Sequence, residues 1–390
     1  MTLALVLRLL PRVPAHEFYQ VLFATFAFLL GASIGSFLNV CIYRMPLEMS
    51  VGKPRRSFCP HCKYQSPWYS NLPLITWLVQ RGKCRNCGAP IAMRYLLVEL
   101  LTGLLFLAVW WRVPQFAGGR LPGDWLLAFP LFTFVSLLVV ATFIDFEHFI
   151  IPDEITWGGA AAGLAFSALL PGLHKEASHL WGFLMSLTGA AAGFALLWLV
   201  SVLGKLAFGK KTLAWKEPQP FTWKLENERA KLTVGPDEMW WDELFTTEKD
   251  VLAMDCARLD FEGKVHEDFE LRSRYEVLEL GGEWRDLNTV KSFRGTVRRL
   301  SFRRDAMGFG DVKFIACIGA FLGWKAVLFT VMSASVIGAL LGGLTLMIGK
   351  REWSARIPFG PYLSLGALIW LSAGPELMAW WLGWYGEPPP

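Results

Sequence analysis

Leu126-Leu-Ala-Phe-Pro-Leu-Phe-Thr-Phe-Val-Ser-Leu-Leu-Val-Val-Ala-Thr-Phe-Ile144 runs for 19 residues without a charge and stops at Asp145. A helix needs about 20 mainly apolar residues to cross the hydrocarbon core of a bilayer, so this stretch reads as a membrane span that ends on a carboxylate. Working outward, comparable runs occupy Tyr19 to Ile42, Ile155 to Leu170, Leu180 to Val202, Val327 to Ile348 and Tyr362 to Leu382, with shorter ones at Tyr95 to Trp111 and Val312 to Leu322. The expectation is an all-α polytopic membrane protein of about eight transmembrane helices. Composition points the same way: 54% of the 390 residues are hydrophobic and 18% are charged, where an ordinary soluble domain carries about 25% charge. A soluble enzyme, a secreted disulfide scaffold and a disordered tail are excluded.

The charge is concentrated. Positions 205–310 hold 39 of the 71 charged residues, which marks a soluble insertion in a membrane domain. The insertion is balanced, with 19 Lys and Arg against 20 Asp and Glu, and the net charge of +5 gives no reason to expect nucleic acid. Nine cations (Arg44, Lys53, Arg55, Arg56, Lys63, Arg81, Lys83, Arg85, Arg94) crowd the segment between the first two apolar runs. Positive loops stay in the cytoplasm, so this loop, the turn after Ile144, the insertion and the Lys350 to Arg356 loop are expected inside. The amino-terminal stretch, interrupted by Arg8 and followed by Pro11, Arg12 and Pro14, lacks a small-residue cleavage site and is expected to be kept. The resulting division is 1–42 for the N-terminal segment and first helix and 43–94 for a zinc-binding loop, followed by 95–204 for helices two to five. Residues 205–305 form the soluble insertion and 306–390 the last three helices.

Four of the seven cysteines form a pattern. Cys59-Pro-His-Cys62 and Cys84-Arg-Asn-Cys87 are two C-x-x-C knuckles, each able to offer two sulfurs from one tight turn, as a tetrahedral zinc site requires. Disulfides are the competing reading, but thiols of a cytoplasmic loop stay reduced. Four thiolates would fill the coordination shell, so the expected zinc is structural. His61 reads as a surface residue, and Cys41, Cys256 and Cys317 read as packing residues.

Carboxylates at a membrane boundary are costly and usually functional. Asp145 ends one apolar run, and Asp311 begins another in Gly308-Phe-Gly310-Asp311-Val-Lys313. Two such carboxylates at matching depth can share a proton, one activating water while the other acts as acid. Gly308 and Gly310 suit close approach of backbone to an extended substrate. Asp311 alone equally suits a helix cap. Glu147, His148, Asp153 and Glu154 read as solvated turn residues, with Asp153 also suited to capping the next helix.

Several stretches occur in a telling order: Gly31-Ala-Ser-Ile-Gly-Ser-Phe-Leu-Asn-Val-Cys-Ile-Tyr-Arg-Met-Pro46, the two knuckles, Arg94-Tyr-Leu-Leu-Val-Glu99, Ile144-Asp145 with Ile151-Pro-Asp153, Gly308-Phe-Gly-Asp-Val-Lys313 and Ile357-Pro-Phe-Gly-Pro-Tyr362. Together they resemble the type IV prepilin peptidase family, from about residue 27 to 375 apart from the insertion. The resemblance implies an inner-membrane aspartyl peptidase of the Gly-x-Gly-Asp class. Such enzymes cleave the basic leader of type IV prepilins or type II secretion pseudopilins at the cytoplasmic face, and Asp145 and Asp311 would be the catalytic pair here. It also implies N-methylation of the new N-terminus with S-adenosylmethionine, for which no binding residues stand out. Gly35, Asn39 and Arg44 match the first motif without separate roles.

The insertion departs from that family. Lys264-Val-His-Glu-Asp-Phe-Glu-Leu271 and Tyr275-Glu-Val-Leu-Glu-Leu280, then Gly281-Gly282, alternate as strands and a turn do, so a small β-rich domain is expected. It would serve contact with pilus or secretion machinery, or be a tolerated decoration. Lys291, Arg294, Arg298, Arg299, Arg303 and Arg304 suit anionic membrane lipid. Two alternatives stand beside the bifunctional enzyme: a peptidase without methyltransferase activity, and a non-enzymatic zinc-containing assembly protein.

Overall fold

The computed structural model describes residues 15–54, 56–65, 67, 72–116, 124–226, 229–245, 250–280, 282–303, 307–347 and 358–384. Arg8, Pro11, Arg12, Pro14, Arg55, Gly281, Arg304, Asp305, the 350–356 loop and Ile357 lie outside them. The chain divides into two units, one of Met1–Leu197 with Phe309–Pro390 and one of Trp198–Gly308.

The first unit is helical. Its elements are α1 (Ala15–Arg44), the short α2 (Ile75–Val79), α3 (Arg94–Phe116), α4 (Ala128–His148), α5 (Asp153–Leu169), the greater part of α6 (His179–Phe208), α7 (Phe309–Met347) and α8 (Gly360–Trp384). Among the described residues, five stretches are long and apolar enough to cross a membrane: Tyr19–Leu47, Arg94–Val113, Trp125–His148, His179–Leu206 and Phe309–Leu344. Eight spans are expected from the sequence, and the difference has local reasons. Helix α5 has only 17 residues, and α8 carries Pro375 and Glu376. The runs that begin at Val312 and at Val327 belong, as far as Met347, to one element, α7, broken at Gly323, whose φ of 81° is closed to helix.

Helix α4 is the hub, packing against α1, α3, α5, α7 and α8. Leu131, Phe134, Val135, Ala141 and Ile144 on it are fully buried. The other helices turn residues such as Val21, Phe26, Leu199 and Leu340 outward, faces suited to lipid. Small residues set the closest helix contacts. A Cβ on Gly31 would lie 2.7 Å from the Thr102 carbonyl, and one on Gly35 2.8 Å from Glu99 Cα. The Gly31/Gly35 spacing puts both on one face of α1 and lets α3 approach at backbone distance. Gly159 and Gly163 of α5 do the same against Cys317 and Ala320 of α7.

The second unit is one antiparallel sheet, so the chain as a whole is not all-α. Its strands are β1 (Lys210–Glu226), β2 (Arg229–Val234), β3 (Asp237–Trp240), β4 (Leu252–Phe261), β5 (Lys264–Ser273), β6 (Val277–Leu280), β7 (Glu283–Asp286) and β8 (Ser292–Arg303), in the order β3-β2-β1-β8-β4-β5-β6-β7. In β4, Leu252, Met254 and Cys256 are buried and their neighbours less so, the period of two that gives a strand one apolar face. That face packs Trp223 on Phe293 with ring centroids 5.1 Å apart. Arg294 pairs with Asp260 at 3.3 Å and Arg298 with Asp268 at 2.6 Å, so two of the cations expected to meet lipid have partners inside the sheet.

Candidate active site

The site begins with the way α4 ends. Phe149 takes a left-handed conformation, φ 57°, and its N–H donates to the Asp145 carbonyl at 2.9 Å. The chain then reverses through Ile150 and Ile151 to Pro152, whose carbonyl accepts from the Ile155 and Thr156 amides as α5 starts. The reversal buries Ile151, which lies beneath two glycines: a Cβ on Gly310 would meet Ile151 Cβ at 3.4 Å, and one on Gly360 would meet Ile151 Cδ1 at 3.0 Å. The starts of α7 and α8 are thereby held against the end of α4.

Asp145, in the last turn of α4, is 5% exposed, and Asp311, in the first turn of α7, is 9% exposed. The two carboxyls are near enough to interact electrostatically. The Gly360 N–H, at the N-terminus of α8, donates to Asp145 Oδ2 at 2.8 Å. Pro361 has no N–H to offer there, so the glycine amide is the donor α8 turns toward the carboxylate, and the positive end of the helix dipole favours it. Neither Gly308 nor Gly310 has positive φ, so what Gly310 contributes is the space a side chain would fill. Two residues read as solvated turn groups are exposed and also paired: Glu147 with Arg94 and Asp153 with Lys313. Asp153 is the first residue of α5, and Pro152 holds the capping position.

The knuckles repeat one geometry. The Cys59 N–H donates to the Tyr64 carbonyl at 2.9 Å and the Lys63 N–H to the Cys59 carbonyl; Cys84, Ala89 and Gly88 repeat the pattern. Lys63 and Gly88 hold equivalent left-handed positions, φ 58° and 71°. All four Sγ atoms lie within 4.8 Å of one another, with Cys59 to Cys87 at 3.8 Å and Cys62 to Cys84 at 3.9 Å. A tetrahedral metal with bonds of about 2.3 Å to sulfur separates its ligands by about 3.8 Å, so the set fits zinc. A hydrogen bond from the Asn86 side chain and one from the Tyr64 backbone bring the Cys62 thiol down to about 6. Backbone amides of Cys87 and Asn86 lower that of Cys84. His61 is exposed, while Cys41, Cys256 and Cys317 are buried.

Residues of the first motif acquire places. The buried Arg44 guanidinium donates to the carbonyls of Ser50, Val51 and Pro54 at 3.2, 2.8 and 3.0 Å, tying the loop to the end of α1. Asn39 Nδ2 donates to the Tyr95 carbonyl at 3.0 Å. Glu99 Oε2 accepts from the Leu74 N–H at 2.7 Å, holding a residue with φ 63° at the start of α2. The sequence signal for these was the motif match alone.

Residues 29–113 match the family described as Bacterial Peptidase A24 N-terminal domain, and residues 132–213 and 290–343 match the Type IV leader peptidase family. The chain belongs to the type IV leader peptidase family. Within that family it resembles proteins named prepilin leader peptidase/N-methyltransferase. The one from Klebsiella pneumoniae is 35% identical over 53% of this chain and 85% of its own length. The one from Aeromonas hydrophila is 28% identical over 93% and 94%. The one from Myxococcus xanthus is 42% identical over 50% of this chain, and the match spans 53% of that relative. The type IV leader peptidase match passes over 214–289, which is most of the sheet. No solved structure matches the chain.

Proposed function

We propose that the chain is a membrane aspartyl endopeptidase that removes the basic leader of type IV prepilins or type II secretion pseudopilins. We also propose that it N-methylates the new terminus, as the names of its relatives indicate. The observation that carries the peptidase reading is the meeting of two buried carboxyls from distant parts of the chain, Asp145 and Asp311, beside the N-terminus of α8. One, as carboxylate, takes a proton from water while the water oxygen bonds to the scissile carbonyl carbon. The other gives its proton to the carbonyl oxygen. Collapse breaks the C–N bond, and the proton taken from water passes to the leaving amine. The Gly360 amide keeps Asp145 oriented, and the space at Gly310 admits substrate backbone beside Asp311. For methylation, S-adenosylmethionine would supply the methyl group when bound, and the new amine would accept it in its deprotonated form.

Around this chemistry we place eight spans in the inner membrane, counting the two arms of α7 separately, with the active site at the cytoplasmic face. The division stays 1–42, 43–94, 95–204, 205–305 and 306–390, with Cys59, Cys62, Cys84 and Cys87 holding a structural zinc. The insertion serves contact with membrane lipid and pilus or secretion machinery. The nine cations of residues 43–94 support this orientation. Incubating the purified chain with a prepilin and S-adenosylmethionine, then weighing the product, tests the reading. A leaderless product heavier by one methyl group is expected. A leaderless product without the methyl group identifies a peptidase alone, and uncut prepilin contradicts the proposal.

A further inference from the structure

The start of α7 is fastened to α5 by more than apolar packing. The Lys313 side chain is 13% exposed, and its ammonium pairs with Asp153, the first residue of α5, whose side chain is 63% exposed. An ammonium drawn this far out of water is costly unless it is paired. It also lies over the Phe309 ring, 5.2 Å from the centroid, where the ring face favours a cation. Phe309 meets Phe194 of α6 edge-on at 6.0 Å, and Phe194 stacks on Trp157 of α5 at 6.2 Å. The residues on either side of Asp311 are thus tied to two other helices.

Lys313 is turned away from the carboxyl pair. Successive helical residues are about 100° apart, so Asp311 and Lys313 leave α7 on nearly opposite faces, one toward Asp145 and the other toward Asp153. What the ion pair does follows from how α7 is held. Helix α7 packs broadly along α5 and meets α4 over a much smaller area, so α5 sets where Asp311 stands. Helix α5 is in turn joined to Asp145 by the tight reversal at 149–152, with Ile151 beneath Gly310. The Ile151 contact is apolar and non-directional, whereas the ion pair fixes two particular side chains against each other. It closes a short circuit from Asp145 through the reversal to Asp153, across to Lys313 and back to Asp311. Resting on the peptidase reading above, we propose that Asp153 and Lys313 are positioning residues that hold the two carboxyls at the separation proton exchange needs.

The test is the initial rate of leader removal against prepilin concentration for the full chain in detergent, with thermal unfolding to show that each variant folds. Lys313→Met leaves the exposed Asp153 in water and strands no buried charge. It should lower kcat at least about tenfold, since displacing a reacting group by about an ångström costs up to about 10²-fold, while KM for prepilin stays nearly the same. Asp153→Asn should match it. The double variant should be no slower than the slower single, because each residue acts through the other. Asp153→Glu, which returns the charge from an exposed position, should recover most of the rate. If Asp153 merely favoured the dipole of α5, Asp153→Asn would cost as much again in the Lys313→Met background. Such multiplied losses, a near-normal kcat in folded Lys313→Met, or a loss confined to KM would each overturn the assignment. Cleavage by the unaltered chain upholds the peptidase reading whatever the variants do; prepilin left uncut by the unaltered chain removes that reading and this one with it.

Discussion

A methyl group added to Gly360 would sit 2.8 Å from Asp145 Oδ2 and 3.0 Å from Ile151 Cδ1. Gly360→Ala must therefore displace the carboxylate it orients. Leader removal should fall on the order of 10²-fold, the cost of shifting a catalytic group by about an ångström, measured as initial rate in detergent. Gly310→Ala tests a different property. Its Cβ would meet Ile151 at 3.4 Å or more, ordinary contact that the fold accommodates, so unfolding should be unchanged while cleavage falls because substrate backbone loses its space. That Asp145 and Asp311 each sit where an apolar run meets a polar turn was legible in the sequence, whereas their pairing was expected from the family resemblance. Gly360 was not legible as Asp145's partner, because its hydrogen bond joins residues 215 positions apart and no local pattern encodes it. Glu147 and Asp153 are exposed as expected, but their pairing was not legible for the same reason: their cations, Arg94 and Lys313, lie on other helices.

At the scale of elements, the contact of α1 with α3 rests on Gly31 and Gly35, where added side chains would meet backbone at 2.7 and 2.8 Å. Backbone cannot yield as a flexible side chain can, so Gly31→Val should lower stability by about 1–3 kcal/mol, read from thermal unfolding in detergent. The apolar runs made the helices legible, but not which of them touch, because tilt and neighbours follow from such small-residue faces. The cysteine loop was legible from spacing alone, and its two knuckles meet as one cluster. Metal analysis of the purified chain should find about one zinc per chain. Replacing any one of Cys59, Cys62, Cys84 or Cys87 by Ser should release it, and an unchanged zinc content in such a variant would remove the metal from these thiols.

For the whole molecule, the sheet leaves and returns to the helical chain at neighbouring points. The first residue of β1, Lys210, pairs with the last of β8, Arg303, and antiparallel partners lie only about 5 Å apart. A few flexible residues can span that gap, so replacing residues 211–299 with a short linker should leave the helical unit folded and cleavage measurable. A folded deletion without activity would show that the sheet contributes to the site. The alternation that announced β5 and β6 lies within hairpins, whereas the placement of β8 between β1 and β4 brings together strands far apart in sequence. Two carboxyls delivered by α4 and α7 to the start of α8 are the centre of the account, and Asn at each keeps the shape while preventing proton exchange. The most direct measurement is the rate of leader removal by Asp145→Asn, Asp311→Asn and the double variant. Each single change should cost at least about 10²- to 10⁴-fold and the double no more than either, since the pair acts as one unit; near-normal processing by a folded Asp145→Asn or Asp311→Asn chain would contradict it.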